Sequence, residues 1–392
     1  MRQKTSWIVL AALGVAGVLQ PGGCAGPLED PGTTEPPVDV DLLTEVLGHA
    51  REGVILQELA AMSEELDQLA PALEAWASAP DDDGVRTDAR VAFGEALVQW
   101  GALDALQVGP GAPSLDSPAG QDLRDELYSW PTVNPCRVDQ ETVSGDFTSP
   151  SFFETELVNV YGLDAIEHLL YAGPDNACPS QVDINADGTW DQLGPTSVQE
   201  ARADYAVVLV DHLRDRLDAL TAEWEGTFGD DFVAGGGPYA DGQEALDDLF
   251  RATFYIELMK DEKLAYPSGL RECGTETCPE LAESQAANLS ADLLRSNIRA
   301  LEAILTPADS YGFDDLLEDA GEEGLAEDLR TRVADARAAL DGLSSVRDQA
   351  DSDNAAVVAA HDAVAALATL LEADVATVLS LSVPAEAAGD ND

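Results

Sequence analysis

Apolar residues recur at spacings of three and four through long stretches of the chain, and this period decides what the chain can fold into. The stretches are 40–79, 85–107, 152–172, 196–226, 240–264, 281–305, 323–344 and 352–380. Such spacing predicts helices with one apolar face each. Ala, Leu, Glu and Arg fill them with few β-branched alternations, which argues against sheet. Pro and Gly collect between them, at 80–84, 109–118, 174–179, 235–238, 267–274 and 306–312. The pattern predicts an all-α fold: two packed helical bundles with a cleft between them, breaking near Gly235-Gly236-Gly237-Pro238. The bundles are expected over 40–234, with a Cys/Asp-rich insertion, and over 238–383. A polar tail, expected to be disordered, covers 384–392.

The N-terminus reads as an address. Met1-Arg2 and Lys4 make a basic start, and Trp7 to Leu19 is an apolar run too short for a stable membrane span. Gly22 and Gly23 precede Cys24, so 1–24 is expected to be an export signal ending in a lipid-accepting cysteine. Cleavage just after Ala25 is the competing reading. Residues 25–39, rich in Pro, Gly, Thr, Glu and Asp, make an acidic tether. No other segment is expected to be long and apolar enough to cross a membrane, so attachment is through the lipid anchor only. The expected location is the periplasm or outer envelope.

Charge narrows the partners. Lys and Arg total 20 against 75 Asp and Glu, a formal charge of −55. Such a surface repels phosphate backbones, which excludes nucleic acid. Anionic lipid headgroups are repelled for the same reason. Setting Cys24 aside from the 5 cysteines leaves Cys136, Cys178, Cys273 and Cys278, an even number suited to two disulfides outside the cytoplasm. Cys273-Gly-Thr-Glu-Thr-Cys278 closes a short loop, and Cys136 pairs with Cys178 by elimination. Paired C-x2-C knuckles, which a four-cysteine zinc site favours, are missing.

One stretch concentrates chemistry: Tyr161-Gly-Leu-Asp-Ala-Ile-Glu-His-Leu-Leu-Tyr171. As a helix its stripe is Leu163, Ile166 and Leu170. Asp164, Glu167 and His168 lie along one flank, partly desolvated. Burial raises a carboxyl pKa unless a cation or donor compensates. Two carboxylates and an imidazole suit either a metal ion or proton transfer, and equally suit hydrogen bonds between helices. A second stripe, Leu246, Leu249, Phe250 and Thr253, continues onto Glu257, Lys260 and Leu264. Glu257 with Lys260 reads either as a buried ion pair or as the edge of a polar pocket between bundles.

Asp183-Ile-Asn185-Ala-Asp187-Gly188-Thr189-Trp190-Asp191 matches the first nine positions of an EF-hand-type loop. Oxygen side chains fall at positions 1, 3, 5 and 9, Gly188 at position 6, and the Thr189 carbonyl at 7. Position 12 is Gly194 in place of the bidentate Glu. A weak structural Ca2+ bound through Asp183, Asn185, Asp187, Thr189 and Asp191 is the expectation; an ordinary Asx-rich turn is the alternative. No P-loop and no Gly-x-Ser-x-Gly elbow occurs in the sequence.

Over roughly 40–345 the sequence resembles the imelysin family of exported bacterial proteins, also called imelysin-type peptidases. The resemblance rests on Trp100 with Gly109-Pro110, on Trp130-Pro131, and on Gly162-Leu-Asp-Ala-Ile-Glu-His-Leu-Leu-Tyr171. It continues with Lys260-Asp-Glu-Lys-Leu-Ala-Tyr-Pro-Ser-Gly269, and with Glu283-Ser284 followed by Ser290. It implies two helical bundles with a site in the cleft, bordered by Gly162, Glu257, Lys260, Glu283 and Ser284. Asp164 stands where the family motif Gly-x-His-x-x-Glu has His. The family's link to bacterial iron uptake implies a divalent or ferric ion as ligand, and envelope transport components as partners. Three functions follow as expectations: a non-catalytic binding component for a metal ion or small ligand, a metal-dependent peptidase, or a structural envelope protein with a vestigial cleft.

Overall fold

The Asp39 carboxylate accepts the amide hydrogens of Asp41 and Leu42 and so caps the first helical run. The structure, a computed structural model, describes residues 39–384. The signal segment, Cys24, the tether up to 38 and the tail from 385 lie outside the described residues. Within them the protein is all-α, with no strand. From Val40 the chain runs through a π-helical turn, His49–Ile55, into α1 (Leu56–Ser78). Asp82 caps α2 (Asp83–Asp104). Then come α3 (Pro135–Ser144), α4 (Leu163–Tyr171), α5 (Thr189–Glu225), α6 (Gly242–Thr253), α7 (Ser290–Leu305), α8 (Glu323–Asp341) and α9 (Asn354–Leu370).

Helix α1 packs against both α2 and α5, and α3 and α4 pack against α5. Helix α7 packs against both α2 and α8, and α8 against α9. Trp76, Trp100 and Trp224 are buried in one continuous apolar cluster that runs through all these helices. Each of those indoles removes a large apolar surface from water, the dominant favourable term in folding.

The helical period fails in identifiable places. The expected helix 152–172 is broken by Gly162, whose φ of 100° lies outside the range most side chains adopt. A Cβ there would meet the Asp164 Oδ1 at 2.9 Å and the Leu127 carbonyl oxygen at 3.1 Å. The expected helix 281–305 begins only at Ser290, after a turn. The expected helix 240–264 changes at Met259–Ala265 into a π-helix. The α-helix already ends at Thr253, and after the break at Phe254 the inward face runs through Ile256, Met259 and Lys263, with Lys260 beside it. The membrane expectation also needs correction. Asn354–Val378 is long and apolar enough to cross a bilayer by length and composition. Here it packs on α8 and on the π-helical turn, with Val357, Val364 and Leu367 buried.

Candidate functional site

A cavity of 540 Å3 is lined by segments about a hundred residues apart in sequence: 130–135 and α4, together with 262–266 and 280–286. Asp164, Glu167 and His168 all line it, as their shared flank predicts. Each is nonetheless turned to a different partner.

Asp164 stands in the first turn of α4 and is buried. Its Oδ2 accepts a hydrogen bond from the Ser129 hydroxyl at 2.8 Å, and its Oδ1 one from the Ala165 amide at 3.0 Å. Burial outweighs these donors and pushes its carboxyl up to about 7. Glu167 is also buried, and its Oε1 accepts the amide hydrogens of Ala286 and Ala287, each at 2.9 Å. Burial again wins and holds its carboxyl above the ordinary range, with nearby Glu283 adding to the rise. The amides reach Glu167 because the chain before α7 coils back on itself. Ser284 (φ 47°) and Asn288 (φ 60°) take up left-handed backbone there. Asn288 is held by Asp348 and Ser345, and Arg347 donates to the Gln285 carbonyl.

His168 turns away from the two carboxyls. Its Nε2 lies 3.1 Å from Asp139 Oδ1, and Arg202 contacts the same oxygen at 3.2 Å. Burial pushes the Asp139 carboxyl up. His168, the Ala177 amide and Arg202 together outweigh burial and hold it below the usual carboxylate range. This cluster ties α4 to α3 and α5. The disulfide Cys136–Cys178 stands beside it and pins the start of α3 to the loop after α4. The second disulfide, Cys273–Cys278, borders the 280–286 lining, next to Glu280 and Leu281. Both pairings agree with the sequence expectation.

Behind the cavity lies a seam of buried charge that periodicity missed. Lys263 is fully buried, with its Nζ 2.8 Å from Glu283 Oε2 and 3.5 Å from Asp104 Oδ2. Asp104 also pairs with Arg124 at 2.9 Å and accepts a hydrogen bond from the Tyr255 hydroxyl. Burial raises the Asp104 carboxyl, and the two cations more than reverse that rise. Tyr128 donates to Glu283 Oε1 at 3.1 Å and sits close enough to Asp164 and Glu167 to feel both charges. Of the expected cleft residues, then, Ser284 lines the cavity and Glu283 belongs to the seam behind it. Gly162 starts α4.

Glu257 and Lys260 do not reach this cavity. They pair with each other, and Glu257 borders a separate 250 Å3 cavity with Arg251, Phe254 and Tyr255. The break at Phe254, ahead of Glu257, explains the displacement, and the chain beyond it brings Glu262 and Tyr266 to the cavity in their place.

The expected calcium loop is arranged as a turn. Asp183–Ala186 is helical, and the Asn185 amide donates to the carbonyls of Cys178 and Pro179. Gly188 does take the positive φ, 69°, that a sharp turn needs. Asp183, Asp187 and Asp191 stay exposed. Among the described residues, no group of three or more His, Cys, Asp or Glu is placed to hold a metal ion, here or at α4. At α4 the reason is visible: Asp164 and Glu167 are turned to separate donors, and His168 is engaged by Asp139.

The family model named Imelysin, Peptidase_M75, matches residues 55–373. An imelysin-like protein from Psychrobacter arcticum 273-4 superposes with a TM-score of 0.67 at 16% identity, covering 88% of this chain and 99% of that one. A provisionally named iron-regulated protein A precursor from Parabacteroides distasonis ATCC 8503 superposes with a TM-score of 0.69 at 14% identity, covering 87% of this chain and 95% of that one. No curated protein matches the sequence.

Proposed function

The chain belongs to the imelysin family, and from that premise we propose that it is an exported binding component, lipid-anchored at Cys24, whose cavity captures a positively charged solute without transforming it. One observation carries this reading. The lining holds Asp164, Glu167, Glu262 and Glu280, and no Lys or Arg. A concave site lined by one sign of charge focuses its field and draws counter-ions from solution. The formal charge of −55 extends that attraction over the molecule.

The naming of the Parabacteroides neighbour as iron-regulated makes a ferric or divalent ion one such solute, delivered to or taken from transport components of the envelope. Carboxyl oxygens are the donor type that hard cations take. The donor set is nonetheless incomplete, since no group of three ligating side chains gathers among the described residues. A metal-dependent peptidase needs three protein ligands and an open position. The residues at α4 do not supply them, and no hydrolytic step is derived.

Calorimetric titration of calcium, iron, zinc, manganese and organic ammonium ions into the full chain tests the reading. At least one cation is expected to saturate a single site and to lose that binding in the Asp164→Asn/Glu167→Gln double variant. Asp183→Ala serves as the control for the 183–191 turn. Binding that survives the double variant, or that Asp183→Ala alone abolishes, overturns the cavity reading.

A further inference from the structure

Resting on that reading, we infer that the solute is an amphipathic organic cation, an ammonium group carried on an apolar or aromatic body. The cavity lining supplies both requirements. It presents the carboxyls of Asp164 and Glu167. The hydrogen bonds they accept come from a serine hydroxyl and from backbone amides, all uncharged. Such donors orient a carboxylate and leave its charge for a visitor to neutralise. Its sides are apolar and aromatic: Trp130, Val133, Tyr266 and Leu281, the last still 44% exposed. An ammonium ion near an aromatic ring gains cation–π attraction, most of all at Trp.

Size points the same way. A volume of 540 Å3 falls within the roughly 300–1,000 Å3 range of pockets that enclose small organic molecules. It is far larger than a bare ion needs. A naked metal would also face Asp164 and Glu167 without a third ligand. An alkyl or aryl ammonium needs no such set, because its three N–H groups can be shared between two carboxyls. Its body then covers the aromatic wall that a metal ion would leave bare.

The seam behind the cavity supports the same assignment by contrast. Where this protein neutralises buried carboxylates itself, it places a cation against them, as Lys263 does between Asp104 and Glu283. No Lys or Arg lines the cavity on the other side of Glu283. The chain's own cations serve the wall, Lys263 at 5.7 Å from the Trp130 ring and Arg271 at 3.6 Å from Glu262, while Asp164 and Glu167 accept from uncharged donors.

The test uses three probes of one shape on the full chain at pH 8: 2-phenylethylammonium, the neutral 2-phenylethanol and the anionic 3-phenylpropionate. The ammonium is expected to saturate one site, with the alcohol about tenfold weaker or worse and the carboxylate undetectable. Asp164→Asn/Glu167→Gln should weaken the ammonium about tenfold. Trp130→Leu should weaken 2-phenylethylammonium by a larger factor than methylammonium, because the larger ligand loses its apolar cover as well as the cation–π contact. Circular dichroism melting confirms that each variant is folded, and Trp130→Leu keeps the test open if the double variant is not. Equal binding of alcohol and ammonium overturns the inference. So does a metal ion bound through Asp164 and Glu167 with no response to the amines, an outcome that leaves the binding function standing. No response to any cation overturns both.

Discussion

Two sets of buried carboxyls lie side by side in this protein, and they are held in opposite ways. Asp104 and Glu283 face cations of the chain itself, Lys263 and Arg124. Asp164 and Glu167 face a hydroxyl and backbone amides. Two cations hold Asp104 below the ordinary carboxylate range in spite of its burial. Burial still raises Glu283, which has Lys263 alone, and pushes Asp164, which accepts from uncharged donors, up to about 7. A carboxylate with a cation from its own chain is a finished structural element. One with neutral donors only is poised to take up either a proton or a cationic ligand. This contrast is the basis on which the cavity, and not the seam, is proposed as the place where the molecule meets a solute.

The comparison breaks most visibly at Lys263. Replacing it with Met leaves Glu283 buried against Tyr128 without its cation, while Asp104 keeps Arg124. Removing one partner of a buried pair costs about 3–5 kcal/mol. Urea denaturation at pH 7 should show a loss of that size. Lys263→Met/Glu283→Gln should recover most of it, because no uncompensated charge remains. A single variant as stable as the parent would mean that the seam contributes nothing, and the contrast would fail.

A pH series sharpens the cavity side. Asp164 rises from its ordinary 3.8 to about 7 in the folded chain, so the folded state holds a proton that the unfolded state has released. Its contribution to stability is greatest below about pH 4, declines as pH rises from about 4 to about 7, and is flat above. The groups around it are Ser129, Tyr128, Glu167 and, at longer range, Arg124. Asp164→Asn removes the descent. The stability of the Asn variant relative to the parent should therefore grow across that window, by up to about 4 kcal/mol. A difference that stays constant with pH would show that Asp164 is ionised throughout and resembles Asp104.

Much of this was legible in the sequence. The apolar period gave the long helices, and the flank of the 161–171 stretch correctly brought Asp164, Glu167 and His168 to one cavity. Cysteine counting gave both disulfides. The site's partners were not legible, because they come from distant segments. Glu167 meets the amides of Ala286 and Ala287 across 119 and 120 residues of sequence. No spacing rule reaches that far. The turn that presents those amides depends on left-handed Ser284 and Asn288, residue types that leave little mark in a periodicity count. The exchange of Lys260 for Lys263 escaped for a local reason: the helix breaks at Phe254 and the following turns run one residue out of phase, so a stripe extrapolated at α-helical spacing ends on the wrong lysine. A buried lysine among so few was the available signal, but only one of Lys260 and Lys263 could be chosen, and helical phase chose the other.

The smallest expected effect is also the most discriminating. In Glu167→Gln the amide oxygen still accepts from Ala286 and Ala287, so the turn before α7 keeps its anchor. What disappears is a carboxyl whose ionisation burial already disfavours. Stability in the absence of solute should change by no more than about 1 kcal/mol, in either direction, when a hydrogen-bond acceptor is kept and a buried charge removed. Denaturation at pH 7 and pH 5 measures it, and any gain should be larger at pH 7, where the parent carboxyl is more ionised. Cation binding by the same variant should nevertheless fall, because the solute loses its counter-charge. Stability kept while binding is lost separates a binding carboxyl from a structural one. A loss of about 3 kcal/mol or more would instead mean that the charge of Glu167 holds the turn in place, and the cavity floor would then be a structural element of the same kind as the Lys263 seam.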